Sequence, residues 1–561
     1  MLAMGIKAKK IASTQVPEKL KPHAQTHHPP RSEQCLQGSE HQGQGSNRYR
    51  TSKSIDRLEI GDMGSGKPKQ FSRPPPKKKP AKASALESAD DCQEAADYEE
   101  AAGGKHRAGD PVKSGRAFAR ALEVYDKGLA KHPNSFDLAY NKARLQLELS
   151  QHENLLGHIG VPLLEWLQLT LESHRYALRL SEENPDVLFN TAQVLASLAE
   201  QLGEDDAEAE AVQALQEALE LLSSCLSRQE MMYEQHRLDF PDTEDGGVAL
   251  DDSVRQQPSA PAEDTDMGEQ SAIVETPVGP SDLLDTVHAS LSALTTLVPL
   301  ADEAALQNLG DMARQLTESK APDYLKLLPA EEQNKAHFSI AVSRAAFIAA
   351  YASAQFEHHV IELETYVERL ESFDFLNKER HVDALVAEAE SRTELVLSII
   401  DRFGEASNMP AALCWKQLTS CQDLLSKATK LNSEEAQKSK AEIYQSKGDI
   451  ELLRHRIIHI PKTDLADGIR SSAPTLIQNA QTFYKGAVGN AKALGDDAVE
   501  GEAQQRWNVA RAIAALMYDG PTLDDSITGA LMEGLEECVE EGFISEQLAD
   551  AIINAKGASR S

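Results

Sequence analysis

Few residues in this sequence are spaced to do chemistry. His455 and His459 stand i, i+4, as do His358 and Glu362, so on a helix either pair could share a metal ion. A zinc site needs three or four ligands. The spacing supplies no third one, and packed or surface histidines are the plainer reading. Gly61, Gly66 and Lys67 follow a short apolar run at residues 55–60 and reproduce the spacing of a phosphate loop. That loop requires a Ser or Thr hydroxyl for magnesium and a helix whose first amides cradle the phosphates. Pro68 supplies neither hydroxyl nor amide, and the prolines that follow forbid a helix. Cys414 and Cys421 lie two turns apart on one helical face, too far for a disulfide within a straight helix. They read as core. No HExxH, paired CxxC, GxSxG or glycine-rich dinucleotide turn occurs. The sequence therefore predicts no catalytic residue, no resident metal and no cofactor, and a protein that is not an enzyme.

The elements that would position any site are helical. Apolar residues make up 41% of the 561 and aromatics only 5%, with alanine, leucine, glutamate and lysine abundant. The length predicts two structured parts joined by linkers. No run of about 18 apolar residues is evident, so no membrane span is expected. Six scattered cysteines without an export signal predict free thiols in a reducing compartment. Residues 1–83 carry 17 Lys+Arg against 6 Asp+Glu; with a net charge of −32 for the chain, the remainder carries −43. Phosphate contacts need a positive face, so direct nucleic-acid binding by the folded body is not expected. Residues 1–105 read as a disordered basic tail. Its cluster Pro74, Lys77, Lys78, Lys79 and Lys82 suits nuclear import or an acidic partner. Residues 230–282 hold 14 Asp+Glu against Arg237 and Arg255, and read as an acidic disordered linker.

Helical periodicity fills residues 106–229 and 283–556. In the first block Ala121, Tyr125 and Gly128 share a face at i, i+4 and i+7, Pro133 ends the helix, and Phe136 opens the next. Small residues admit a close neighbour, and the tyrosine fills the space between them. Ala139, Tyr140 and Ala143 follow. After the break at Asn184 and Pro185, Phe189, Asn190 and Ala192 echo them, and Ala211, Leu215 and Ala218 repeat the first face. The second block repeats the pattern with Ala441, Tyr444, Gly448 and Asp449, then Ala480, Tyr484 and Ala487, then Trp507 and Ala510. Trp415 and Leu418 also look like such a start, but lie too close to Ala441 for both to hold. Residues 335–371 predict one long helix, apolar on more than one side.

These residues resemble the tetratricopeptide (TPR) repeat, in which helix B of one unit runs into helix A of the next. The resemblance covers about half the chain, in two blocks, and Lys142 and Gln146 depart from it. It implies an all-α, TPR-like solenoid of antiparallel helix pairs whose inner surface binds a partner segment. Asn141, Arg144, Asn190 and Gln193, on the face left by the Ala/Tyr core, are the expected groove residues. Some TPR proteins clamp an acidic peptide with Lys, Asn and Arg. Here the first helix A is expected at residues 102–115, where no Lys/Asn pair is recognisable, and an acidic body repels an acidic peptide. The reading is a protein-interaction adaptor of the cytoplasm or nucleus. The alternative is an acidic escort or assembly chaperone for a basic client such as a ribosomal protein or histone.

Overall fold

The computed structural model describes residues 86–239 and 277–558, apart from 108, 205–206, 405–408, 462 and 522–527. The phosphate-loop spacing, the basic cluster and most of the acidic linker lie outside the described residues. Within them the chain is all-α, with helix pairs stacked in series. The first pair is α1 (Ala89–His106) and α2 (Pro111–Lys131). Next come α3 (Phe136–Ser150) and, after the short α4 (Glu153–Ile159), α5 (Leu163–Leu180). The third pair is α6 (Pro185–Glu204) with α7 (Glu208–Asp239). In the fourth, α8 (Pro280–Leu297) packs with α9 (Glu303–Arg314), a π turn and α10 (Ala321–Leu325). α11 (Ala330–Glu357) pairs with α12 (Leu363–Leu370), and α13 (Val382–Phe403) with α14 (Ala411–Ala428). A single turn, α15 (Glu434–Lys438), leads to α16 (Lys440–His459). After a second turn, α17 (Asp467–Arg470), α16 pairs with α18 (Ala473–Leu494). α19 (Asp497–Met517), α20 (Thr528–Glu540) and α21 (Glu546–Ala558) close the array.

The pairs are held by the contacts that the small-aromatic spacing anticipates. A Cβ on Gly128 would stand 2.9 Å from the Cβ of Cys92, and one on Gly103 would stand 2.7 Å from the Phe118 ring, so α1 and α2 run antiparallel in van der Waals contact. Likewise a Cβ on Gly448 would meet Tyr484 at 2.4 Å and one on Gly486 would meet Tyr444 at 2.7 Å, fixing α16 against α18. Only glycine lets the tyrosine rings lie that close. Tyr125, Tyr484, Ala121, Ala143, Ala192, Ala480, Ala487 and Ala441 are buried, and Tyr444 is half-buried against Phe483. Pro133 stands just beyond the end of α2, and Asn184 caps α6 by accepting from the Asp186 and Val187 amides.

Three expectations need correction. Residues 89–106 are helical rather than part of a disordered tail: Ser88 and Asp91 form a capping box, and Cys92, Ala96 and Gly103 are buried against α2. The first helix of the array is therefore α1 rather than a helix at 102–115. α7 continues through residue 230 to Asp239, because Lys320 and Tyr324 both bond to Glu230, and α8 begins at Pro280. The long helix expected over 335–371 stops at Glu357. His359 takes φ +60°, and the Val360 amide turns back to the Gln355 carbonyl. By length and composition alone, Pro280–Leu300 is apolar enough to cross a membrane, and 67% of its most apolar window is buried. Leu283, Val287, Leu291, Leu294 and Val298 belong to the core shared with α7 and α11, so it is the array's central core helix.

Candidate partner-binding surface

The leading helix of each pair forms a row. Contacts run along it from α1 to α3, α6, α8, α11 and α13, and resume between α16 and α19. Polar side chains cross from one member to the next. In the first step Tyr125 of α2 donates to Glu100 of α1 (2.6 Å), and Arg144 of α3 grips the same carboxylate while also reaching Glu148 at 3.2 Å. The same arrangement returns near the other end. Tyr484 of α18 donates to Asp449 of α16 (2.8 Å), and Arg506 of α19 donates to Asp449, Glu502 and Glu541, each at 2.6 Å. Each node joins a carboxylate of one leading helix, the tyrosine of its partner helix and the arginine of the next leading helix.

The electrostatics of both nodes are those of buried ion pairs. Burial pushes the Glu100 carboxyl up, and Arg144 and Tyr125 offset this only in part. Burial also works against the Arg506 charge, but the Asp449 and Glu502 carboxylates more than offset it and keep the guanidinium protonated. Both tyrosines are driven well above the ordinary phenol range by desolvation, then by their carboxylate partners, so they remain donors. Between the nodes the row is stitched more lightly. Asn190 donates to the Tyr140 hydroxyl (3.4 Å), Ser343 meets His288 (2.7 Å), and Ser353 meets Ser398 (3.0 Å). Past α13 the links pass through α14: Arg392 donates to Gln417, and Gln422 to Glu451.

This disposes of most of the groove residues expected from sequence. Arg144 is 3% exposed and Asn190 7%, both locked between helices, so neither lines a groove. Asn141 donates to Gln93 of α1 at 3.2 Å, which makes it another stitch of the row. Gln193 is half-buried on α6. Polar positions of the leading helix that look available in a single repeat are used by the preceding repeat. The candidate metal pairs fare similarly. His455 is buried with Nε2 2.7 Å from the Tyr518 hydroxyl, and His459 Nδ1 lies 2.8 Å from the His455 carbonyl. His358 and Glu362 straddle the turn after α11 rather than sharing a helical face. Among the described residues no group of three or more His, Cys, Asp or Glu side chains is placed to hold a metal. Cys414 and Cys421 are buried core thiols, both pushed up to about 12 by burial.

Two helices of the row are net acidic. α6 contains Asp186, Glu200 and Glu204, and α8 contains Asp282 and Asp285; neither helix has a single Lys or Arg. On α13, Arg392 is taken up by Glu388 at 2.7 Å, and Arg402 lies 4.2 Å over the Phe356 ring, while Glu390 and Glu394 stay half-buried. The asymmetry in lysine and arginine was present in the sequence. It becomes meaningful only once α6, α8 and α13 are known to share a row.

No protein-family model matches the chain. The chain is similar to the UPF0656 protein C926.02 of Schizosaccharomyces pombe, at 35% identity over 155 residues. The matched part is 28% of this chain and 32% of that protein, so the chain spans about a third of the relative's length. Among solved structures it is similar to a circular tandem repeat protein with novel repeat topology and enhanced subunit contact surfaces. That match has 12% identity and a TM-score of 0.25, and covers 83% of this chain and 98% of the other.

Proposed function

We propose that this chain is a non-enzymatic, TPR-type interaction scaffold that holds a basic segment of a protein partner along its row of leading helices. The observation that carries the reading is the charge of that row: α6 and α8 have no Lys or Arg, and Arg144, Arg392 and Arg506 are bound to carboxylates within the protein. The small-tyrosine-small spacing, with its buried tyrosines, supports the TPR assignment. An escort or assembly chaperone for a basic client, in the cytoplasm or nucleus, is the form of scaffold that a net charge of −43 over residues 84–561 favours.

Charge reversal on the row tests this. Asp282→Lys, Asp285→Lys, Glu390→Lys and Glu394→Lys together should weaken capture of a Lys/Arg-rich client peptide at least tenfold in a fluorescence-anisotropy titration. Glu172→Lys and Glu220→Lys, exposed on the trailing helices α5 and α7, should change it less than twofold. Equal losses from both sets would reduce the effect to net charge and overturn the reading.

A further inference from the structure

α1 is the first described helix of the array and packs mainly against α2 and α3, which leaves one side of it exposed. That side is a continuous stripe. Asp90, Glu94, Asp97 and Ala101 follow at i, i+4, i+7 and i+11 and all are exposed, and beside them Tyr98 is 59% exposed. Gln93 ties the stripe to the row, donating to Asp97 at 2.7 Å while accepting from Asn141 of α3. The chain enters the structure at the N-terminal end of this helix. Lys131 bonds the Leu86 carbonyl there, and His132 lies 2.8 Å from the Glu87 carbonyl, so the entry point is pinned to the end of α2.

Immediately before that point, residues 67–82 carry Lys67, Lys69, Arg73, Lys77, Lys78, Lys79 and Lys82, with Phe71 and no acidic residue. We infer that this segment docks back along the uncovered face of α1, its cations on Asp90, Glu94 and Asp97 and one of them over the Tyr98 ring. The reach suffices: α1's 18 residues span about 27 Å, whereas sixteen extended residues cover roughly 50 Å. Tethering supplies the segment at an effective concentration of order millimolar, enough to hold individually weak contacts. Exposed cation–π and ionic contacts of this kind are salt-sensitive and replaceable. The docked segment is thus an internal competitor at the mouth of the row, displaced by a more basic partner. The competition with a client rests on the proposed function; the docking itself does not.

The test uses the full chain and a fluorescent peptide of residues 67–82. A variant with all seven Lys and Arg of the segment changed to Gln should bind the peptide at least tenfold more tightly than the wild type, whose face is already occupied. Adding Asp90→Lys and Glu94→Lys to that variant should remove the binding, with helical circular dichroism unchanged. In the wild type at micromolar concentration, zero-length carbodiimide coupling should join Lys77, Lys78, Lys79 or Lys82 to Asp90, Glu94 or Asp97 of the same chain. Equal peptide affinity in wild type and neutral-segment variant would overturn the inference, as would binding indifferent to the α1 reversals. Coupling found only between chains would also overturn it, because the occupant would then be a second copy. If the coupling and the peptide result hold but a Lys/Arg-rich client binds neither form, the docking stands and the proposed function falls.

Discussion

Tyr484 and Gly448 form the tightest contact that the sequence spacing implied. A methyl on Gly448 would lie 2.4 Å from the Tyr484 ring, so Gly448→Ala should cost about 1–3 kcal/mol through forced repacking. Tyr484→Phe keeps the ring and loses only the bond to Asp449, an expected loss of about 2 kcal/mol for a hydrogen bond to a charged group. Arg506→Met is the severest change. It strands Asp449, Glu502 and Glu541, and breaking a buried ion pair in this way costs about 3–5 kcal/mol. Urea titrations of the three variants should rank them in that order of chemistry, with Arg506→Met the least stable. Histidines set the response to acid. His174 is wholly buried, and desolvation holds it at about 4, opposed only by a backbone contact with Ala143. His455 is held at about 3 by burial and then by His459. Both values are lowered, so the neutral forms stabilise the fold. That stability is complete above the ordinary histidine value and is lost as pH falls through 6.5 toward about 4 and 3. The linked loss is up to about 3 kcal/mol for His174 and about 5 kcal/mol for His455. His174→Gln should flatten the fall in stability between pH 6.5 and 4, measured as the urea midpoint.

Among the elements, the most legible were those whose aromatic and small residues share one face. α2 and α18 followed directly from Ala121, Tyr125 and Gly128 and from Ala480, Tyr484 and Ala487, because those residues have to be buried together. α1 was not legible. Its buried face consists of Cys92, Ala96, Glu100 and Gly103, small or charged residues that raise no apolar period, and the large partner, Phe118, sits on the other helix. The Ser88 cap followed by Asp91 was the available signal. Ser88→Ala should cost about 1 kcal/mol and appear as faster amide exchange confined to the first turns of α1. The end of α11 was hidden for the opposite reason. Its apolar pattern runs on into α12, and nothing in the composition of residues 357–362 announces the left-handed turn at His359. The groove residues failed at this scale too. Arg144 and Asn190 look available on an isolated helix pair and become buried only when the previous pair's Glu100 and Tyr140 are brought against them.

For the whole molecule, stacking converts a diffuse excess of acid into a directed one. The chain's net charge of −32 says nothing about where a partner sits. In the assembled row Arg144, Arg392 and Arg506 are paired with carboxylates, and Asp282, Asp285, Glu390 and Glu394 lie on α8 and α13. Attraction of this kind is screened at high ionic strength, the Debye length falling to about 3 Å at 1 M salt, so a partner held mainly by charge should leave with salt. The central claim is that the row of leading helices holds a basic segment, and mapping a bound client by zero-length coupling and mass spectrometry tests it most directly. The account predicts couplings from client lysines to Asp282, Asp285, Glu390 and Glu394, abolished when capture is attempted in 1 M salt. Couplings confined to the trailing helices α5, α7 and α14, or capture that salt leaves unchanged, would contradict it.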